Sequence, residues 1–196
     1  KRPFFIENAG YFETRQTLFF SRRIVDPQFG VRLTGKKGGW AVGGLAIDDR
    51  APGRQRSGAD PLHDRRAGVG VVRVQREVAQ QSTIGLLFTS RDFGSSSNRV
   101  ISFDTRLKLN PNWVLSGQLM GSDTRQLDGT GRSGPAYFAE LTHSGRHFSY
   151  YARYVDRSPD FGSQVGFIPR VDIRQIEQFA RYSWRPRGGR VVSFGP

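Results

Sequence analysis

"NRVISFDTRLKLNPNWVLSGQLMGSD", residues 98–123, alternates apolar and polar side chains on both sides of a short turn. Polar or charged residues such as Ser102, Asp104 and Arg106 stand between the apolar ones. Because successive side chains of a strand point to opposite faces, the pattern predicts two strands joined by the turn 110–112. The apolar positions are Ile101, Phe103, Leu107, Leu109, Trp113, Leu115 and Leu119.

The composition permits one domain with a modest core, since 36% of the 196 residues are hydrophobic. No apolar run approaches the roughly 20 residues that a transmembrane helix needs. The chain has no cysteine, which excludes disulfides and cysteine-based metal or redox sites. It begins at "KRPFF" without an initiator Met or a signal-type segment, so we expect it to be a piece of a longer protein.

The net charge of +13 would suit a nucleic-acid binder, because basic surfaces attract phosphate. The basic residues are spread singly, however, and many share a strand face with an acid. Arg73 and Glu77 form one such pair, and Asp104 and Arg106 another. A guanidinium can pair with a carboxylate on these faces, which is typical of a sheet face that lines an enclosed, hydrated space. Nucleic-acid binding is therefore the weaker alternative, and no nucleic-acid partner is expected.

Alternation of the same kind recurs along the chain, and helical periodicity is nearly absent. It predicts strands near 29–35, 40–48, 68–78, 82–91, 99–109, 113–123, 135–144, 147–156, 166–175 and 178–185.

The predicted connections alternate in length. "KKGG", "VAQQS", "NPN" and "SGR" are short, whereas the connections that contain "DRAPGRQRSGADPLHDRRA", "DFGSSSN", "TRQLDGTGRSG" and "RSPDFGSQV" are long and polar. Short turns on one rim and long loops on the other are typical of a transmembrane β-barrel.

Large aromatic residues stand beside the short turns. Such side chains prefer the headgroup level of a bilayer, and barrels carry girdles of them. The alternative is that they plug the end of a soluble sandwich core. The predicted aromatic girdle consists of Trp40, Trp113, Phe148 and Trp184.

In a barrel only alternate residues face lipid, so a polar average is compatible with an apolar outer band. The predicted outward residues are Val72, Val74, Ile84, Leu86, Phe88, Phe103, Leu107, Tyr150 and Tyr154. Inward residues would then line a lumen, either bracing the wall or setting selectivity, and their Arg excess would favour anionic solutes. The lumen-lining candidates are Arg32, Arg73, Gln75, Glu77, Asp104, Arg106, Lys108, Gln118, Arg153, Arg170, Asp172 and Arg174.

Five stretches, "KRPFFIENAGYFET", "LFFSRRI", "FGVRLTGK", "STIGLLFTSRDFGSSSNRV" and "NPNWVLSGQL", resemble an uncharacterised family of bacterial outer-membrane β-barrels. The likeness extends to about residue 175. In that family the barrel, a domain of unknown function, often follows a carbohydrate-binding-like module. The resemblance implies that a signal peptide, an N-terminal module and further strands lie outside this chain.

We therefore predict an all-β, antiparallel up-and-down meander that forms part of a transmembrane β-barrel in the bacterial outer membrane. Residues 1–26 lead into the barrel and residues 27–196 form an incomplete part of it. The predicted function is a porin-like pore, a transporter or a surface-anchoring platform. Its partners would be the lipid bilayer and an anionic solute or a carbohydrate. A soluble all-β ligand-binding domain is the alternative.

No enzyme activity, cofactor or metal is predicted. No G-x-S-x-G signature occurs, and His143 and His147 flank a turn. His63 lies in the longest loop near carboxylates, but the spacing matches no EF-hand-like calcium loop. The pair Gly43 and Gly44 lies within a strand, where it would permit close packing or curvature rather than phosphate binding.

Overall fold

The computed structural model describes residues 9–184. Within this range nine strands form one antiparallel sheet in which each strand pairs with its neighbours along the chain. The predicted up-and-down meander is confirmed. The sheet is not closed, because β1 and β9 form its two edges. The strands are β1 (Pro27–Lys37), β2 (Trp40–Asp49), β3 (Ala67–Ala79), β4 (Ser82–Phe93), β5 (Ser96–Lys108), β6 (Trp113–Arg125), β7 (Gly131–Ser144), β8 (Phe148–Arg157) and β9 (Ile173–Tyr182).

The described helices are short. Two 3₁₀ turns, Ala9–Phe12 and Ser21–Arg23, precede β1. A single α-helical turn, α1 (Ala51–Arg54), opens the connection between β2 and β3.

Local turn chemistry fixes several hairpins. Gly38 and Gly39 both have positive φ, as the two-residue turn between β1 and β2 requires. Between β5 and β6, the side-chain oxygen of Asn110 accepts the backbone N–H groups of Asn112 and Trp113, each at 2.9 Å. This Asx turn brings β6 back antiparallel to β5.

The connections leave the sheet at two rims. The turn rim carries residues 38–39, 80–81, 109–112 and 145–147, and the loop rim carries residues 50–66, 94–95, 126–130 and 158–172. "NPN" and "DFGSSSN" thus lie at opposite ends, as predicted. The expected length of "DFGSSSN" was wrong, because β4 and β5 continue through it and leave a two-residue turn at residues 94–95.

The prediction of two strands at 166–175 and 178–185 was only partly right. One strand, β9, spans the end of the first range and residues 178–182 of the second, residues 158–172 form an irregular segment, and residue 185 lies outside the described residues. Pro159 and Pro169 remove backbone donors from this segment. Phe161 and Val165 bury their side chains in the core instead of alternating between two faces.

Two segments, residues 10–24 and 158–171, cover one face of the sheet, which we call the inner face; the opposite side is the outer face. The two segments also pair with each other: the Phe20 N–H donates to Val165 O at 2.9 Å, and the Phe167 N–H donates to Thr17 O at 2.8 Å. One hydrophobic core joins them to the inner positions of β2 to β8. Its buried members are Phe12, Leu18, Ile24, Leu45, Ile47, Val69, Val71, Leu87, Val100, Met120, Ala136, Phe138, Val155, Phe161 and Val165.

Candidate membrane-facing surface and occupied inner face

An apolar band runs across the outer face of all nine strands. The alternating register places Val31, Val72, Phe103 and Leu119 on this face. Val31, Val72 and Leu119 are each about half exposed or more. Every residue predicted to point outward lies here. The band members are Val31, Leu33, Val42, Ala46, Val72, Val74, Ile84, Leu86, Phe88, Ile101, Phe103, Leu107, Leu115, Leu119, Tyr137, Ala139, Leu141, Tyr150, Ala152, Tyr154 and Ile176.

Charge is missing from the middle of this band. Among the described strands, the outer positions carry no Asp, Glu, Lys or Arg until they approach a rim. On β6 the uncharged outer positions run from Trp113 to Gly121, a length of about 27 Å at ~3.4 Å per residue. A strand tilted by about 40° would cover roughly 20 Å of bilayer with that length. That height is somewhat less than the apolar band of about 25 Å that outer-membrane barrels carry.

Ion pairs mark the loop-rim end of the outer face. Arg99 donates to Asp92 at 2.6 Å across neighbouring strands. Arg174 donates to Asp156 at 2.9 Å, and the same carboxylate accepts the Tyr154 hydroxyl at 2.8 Å. The outer surface thus changes from apolar to charged within a few residues of this rim.

Aromatic side chains cluster at the turn-rim end. Trp113 lies 4.5 Å from the ring of His143, measured between centroids, and Phe148 stacks on Tyr150 at 6.4 Å. Trp40 is 44% exposed and Trp184 is 54% exposed. All four predicted girdle residues lie at this rim.

The turn rim is also basic. The turn-rim region consists of the turns and the four residues of each strand nearest to them, within residues 9–184. Glu77 is the only acidic residue of this region. The corresponding loop-rim region holds 12 basic and 10 acidic residues. The basic set, named here the turn-rim cations, comprises seven residues: Lys36, Lys37, Arg76, Arg106, Lys108, Arg146 and Arg181.

Nine of the lumen-lining candidates occupy inner-face positions of β1, β3, β5, β6 and β8. They are Arg32, Arg73, Gln75, Glu77, Asp104, Arg106, Lys108, Gln118 and Arg153. The other three do not. Arg170 and Asp172 lie in the irregular segment before β9, and Arg174 lies on the outer face beside Asp156. These three were misplaced because the strand was expected to begin at residue 166 rather than 173.

The most buried ion pair lies within the inner face. Both terminal nitrogens of Arg73 donate to Asp104, Nη2 at 2.8 Å from Oδ2. The Arg73 side chain is 3% exposed and that of Asp104 13%. Gly85 lies between them on β4, and a Cβ there would come within 2.6 Å of the guanidinium. Because Gly85 has no side chain, the Arg73 guanidinium can cross β4 and reach Asp104.

The first covering segment is fixed by polar contacts to three strands. The Gln16 N–H donates to Gln118 Oε1 at 2.7 Å, and Gln16 Oε1 accepts a hydrogen bond from Arg157. Arg15 donates to Ser116 Oγ at 3.1 Å and lies 3.5 Å from Glu140. These contacts place residues 15 and 16 across β6, β7 and β8. Sequence reasoning missed them because residues 1–26 were treated as a lead-in to the sheet.

The second covering segment binds the loop-rim half of the inner face. Asn98 makes two contacts with it: its side-chain nitrogen donates to Gly162 O, and its oxygen accepts the Gln164 N–H, each at 3.0 Å. Ser122 Oγ accepts the Gly162 N–H at 2.9 Å. The two segments thus cover much of the inner face within residues 9–184.

A depression of about 730 Å³ opens between the loop-rim connections and is lined mainly by polar side chains, including Arg56, Arg91, Gln164 and Asp128. The pKa of Asp128 is lowered because its carboxylate accepts the Thr130 N–H. In the 50–66 loop, the pKa of Asp60 is lowered because its carboxylate accepts the Leu62 N–H. The His63 ring contacts Arg56 O and Asp64. No group of three or more His, Asp or Glu side chains in residues 9–184 is arranged to hold a metal ion.

Comparison with protein families, with curated proteins and with solved structures finds no match to the chain. Of the helices within residues 9–184, none has the length and apolar character needed to span a membrane.

Proposed function

We propose that this chain is part of a bacterial outer-membrane β-barrel whose interior is filled by residues of the same chain. The outer band carries the proposal. Nine neighbouring strands present apolar, exposed and uncharged side chains outward, while charged groups lie on the inner face or at the rims. A soluble sheet would cover such a surface with a second layer. In a bilayer the same surface can stay uncovered, because its apolar side chains contact lipid.

The two open edges fit the same proposal. Backbone groups at membrane depth need hydrogen-bond partners, so β1 and β9 would have to be joined by further strands. These would complete the barrel outside the described residues.

The occupied inner face favours a surface-anchoring platform over a permanently open pore. Residues 10–24 and 158–171 fill the inner side, and the contacts of Arg15, Gln16 and Asn98 hold them there. Transport of an anionic solute or a carbohydrate would require at least one of these segments to move. The predicted pore is therefore a gated one in this proposal.

The three tryptophans allow a direct test, because all of them lie at the turn rim. The full-length protein that contains this chain, with any tryptophan outside the chain replaced by phenylalanine, would be folded into phosphatidylcholine vesicles that contain brominated lipids, with bromine at known depths in the acyl chains. We expect bromine near the headgroup end to quench tryptophan fluorescence more than bromine at the bilayer centre. Quenching at neither depth, from a chain that stays soluble and monomeric in plain buffer, would instead favour the soluble ligand-binding domain.

A further inference from the structure

The basic charge of the turn rim is not neutralised by the described part of the protein. None of the seven turn-rim cations forms an ion pair with a carboxylate of residues 9–184. Arg106 and Lys108 donate to the backbone and side-chain oxygens of Gln81, which are uncharged. Their positive charge thus remains available to an external anion.

The loop rim differs in this respect. Its arginines are interspersed with aspartates, and several form pairs, such as Arg54 with Asp26 at 2.7 Å and Arg66 with Asp48 at 3.0 Å. The two ends of the same strands therefore present different electrostatic surfaces. A membrane-embedded sheet with this difference meets a negatively charged surface more favourably with its turn rim.

The turn-rim cations stand beside the aromatic residues expected at headgroup depth. The Arg76 guanidinium lies 4.9 Å from the ring centroid of Trp40, and Lys37 is the register partner of Trp40 on the outer face. Arg146 lies in the turn between β7 and β8, next to the aromatic cluster around Phe148. Long basic side chains at this level can place their charge among lipid phosphates while their stems remain in apolar surroundings.

We propose that the turn rim binds the headgroups of anionic phospholipids, with Lys37, Arg76 and Arg146 as the residues that contact lipid phosphate. This inference rests on the proposed membrane location and adds a preference for negatively charged lipid on one side of the bilayer. Each basic residue near an anionic membrane surface contributes about 1 kcal/mol, which corresponds to about a fivefold change in partitioning.

The test compares two triple variants with equal net charge. Lys37→Gln/Arg76→Gln/Arg146→Gln removes three turn-rim cations. The matched control, Arg65→Gln/Arg125→Gln/Arg132→Gln, removes three exposed loop-rim arginines that form no ion pair in the described part of the chain. The unmodified sequence and each variant, made within the full-length protein, would be floated with phosphatidylcholine vesicles, with or without phosphatidylglycerol, at low salt and at about 1 M salt, where charges are screened beyond roughly 3 Å.

We expect phosphatidylglycerol to increase flotation of the unmodified chain and of the control at low salt, and high salt to abolish the increase. The turn-rim variant should lose most of it, about fivefold for each charge removed. Equal losses in the two variants would overturn the inference, and insertion into phosphatidylcholine, read from bromine quenching, would still support the membrane location.

A full-length protein that floats with neither vesicle type would contradict both proposals. A DNA duplex added in place of vesicles separates lipid binding from nucleic-acid binding. Tight duplex binding that the turn-rim variant loses, without flotation of the unmodified chain, would overturn the inference in favour of a nucleic-acid partner.

Discussion

Arg73 and Asp104 form a buried ion pair that spans two strand positions, from β3 to β5, across Gly85. The intervening strand contributes no side chain at that point. The pair therefore ties three adjacent strands together on the inner face, where the Arg73 side chain is 3% exposed.

Removing one partner of this pair should destabilise the protein strongly. We expect Asp104→Ala to lower the free energy of unfolding by about 3–5 kcal/mol, because it leaves the Arg73 guanidinium buried and uncompensated. Asp92→Ala breaks the exposed pair with Arg99 and should cost less than about 1 kcal/mol. Urea unfolding from vesicles measures both. Similar losses for the two variants would refute the distinction, whereas Arg73→Met combined with Asp104→Leu should recover much of the first loss.

A charge in the outer band should be costly only in a bilayer. Leu119 lies between Phe103 and Tyr137 in the register, so Leu119→Arg places a guanidinium near the middle of the band. We expect a loss of about 2–4 kcal/mol in vesicles. Ser97→Arg is the control on the same face, because its new charge lies opposite Asp92 at the loop rim. If Leu119→Arg unfolds with the same urea dependence as the unmodified chain, this surface does not face lipid.

A side chain introduced at Gly43 should displace the first covering segment. A Cβ at Gly43 would lie 3.0 Å from the Phe12 ring, whereas a Cβ at Gly44 meets nothing within 4 Å. We expect Gly43→Val to cost about 1–3 kcal/mol through overpacking and to speed amide exchange of Gln16, which donates to Gln118. Gly44→Val points outward and should leave that exchange unchanged. Equal exchange rates in the two variants would show that Phe12 does not fix the segment.

Thiols introduced at the two rims should be accessible to a reagent from opposite sides of a membrane. The chain contains no cysteine, so Ser57→Cys in the 50–66 loop and Gln80→Cys in the β3–β4 turn each introduce one reactive thiol. In sealed vesicles with one protein orientation, a membrane-impermeant maleimide should label one variant at once and the other only after detergent is added. Immediate labelling of both would contradict a membrane-spanning sheet.

Much of the sheet could be predicted from the sequence because its signals are local. Period-two alternation identified the strands β1 to β8, and residues such as Gly38 and Asn110 identified tight turns. Antiparallel pairing then fixed which connections share a rim. The length of one connection was predicted less accurately, because Gly and Ser in "DFGSSSN" are typical of loops although β4 and β5 pair almost to the turn.

The occupied inner face could not be predicted in the same way. Burial of Leu18 and Val165 depends on contacts with strands far along the chain, which no local pattern reveals. One signal was present: β3 carries Val69 and Val71 on the inner face and Val72 on the outer face. A strand that is apolar on both faces indicates that both are covered or embedded.

The first covering segment has a consequence for how the chain assembles. Arg15 and Gln16 find partners 101 and 102 residues later, and the contact of Arg23 with Gly166 spans 143 residues. During synthesis these residues emerge before any strand that can receive them. Contacts between distant residues form slowly because a long stretch of chain must be ordered first. Residues 15–23 therefore take their final place only after almost all of the described sheet has formed.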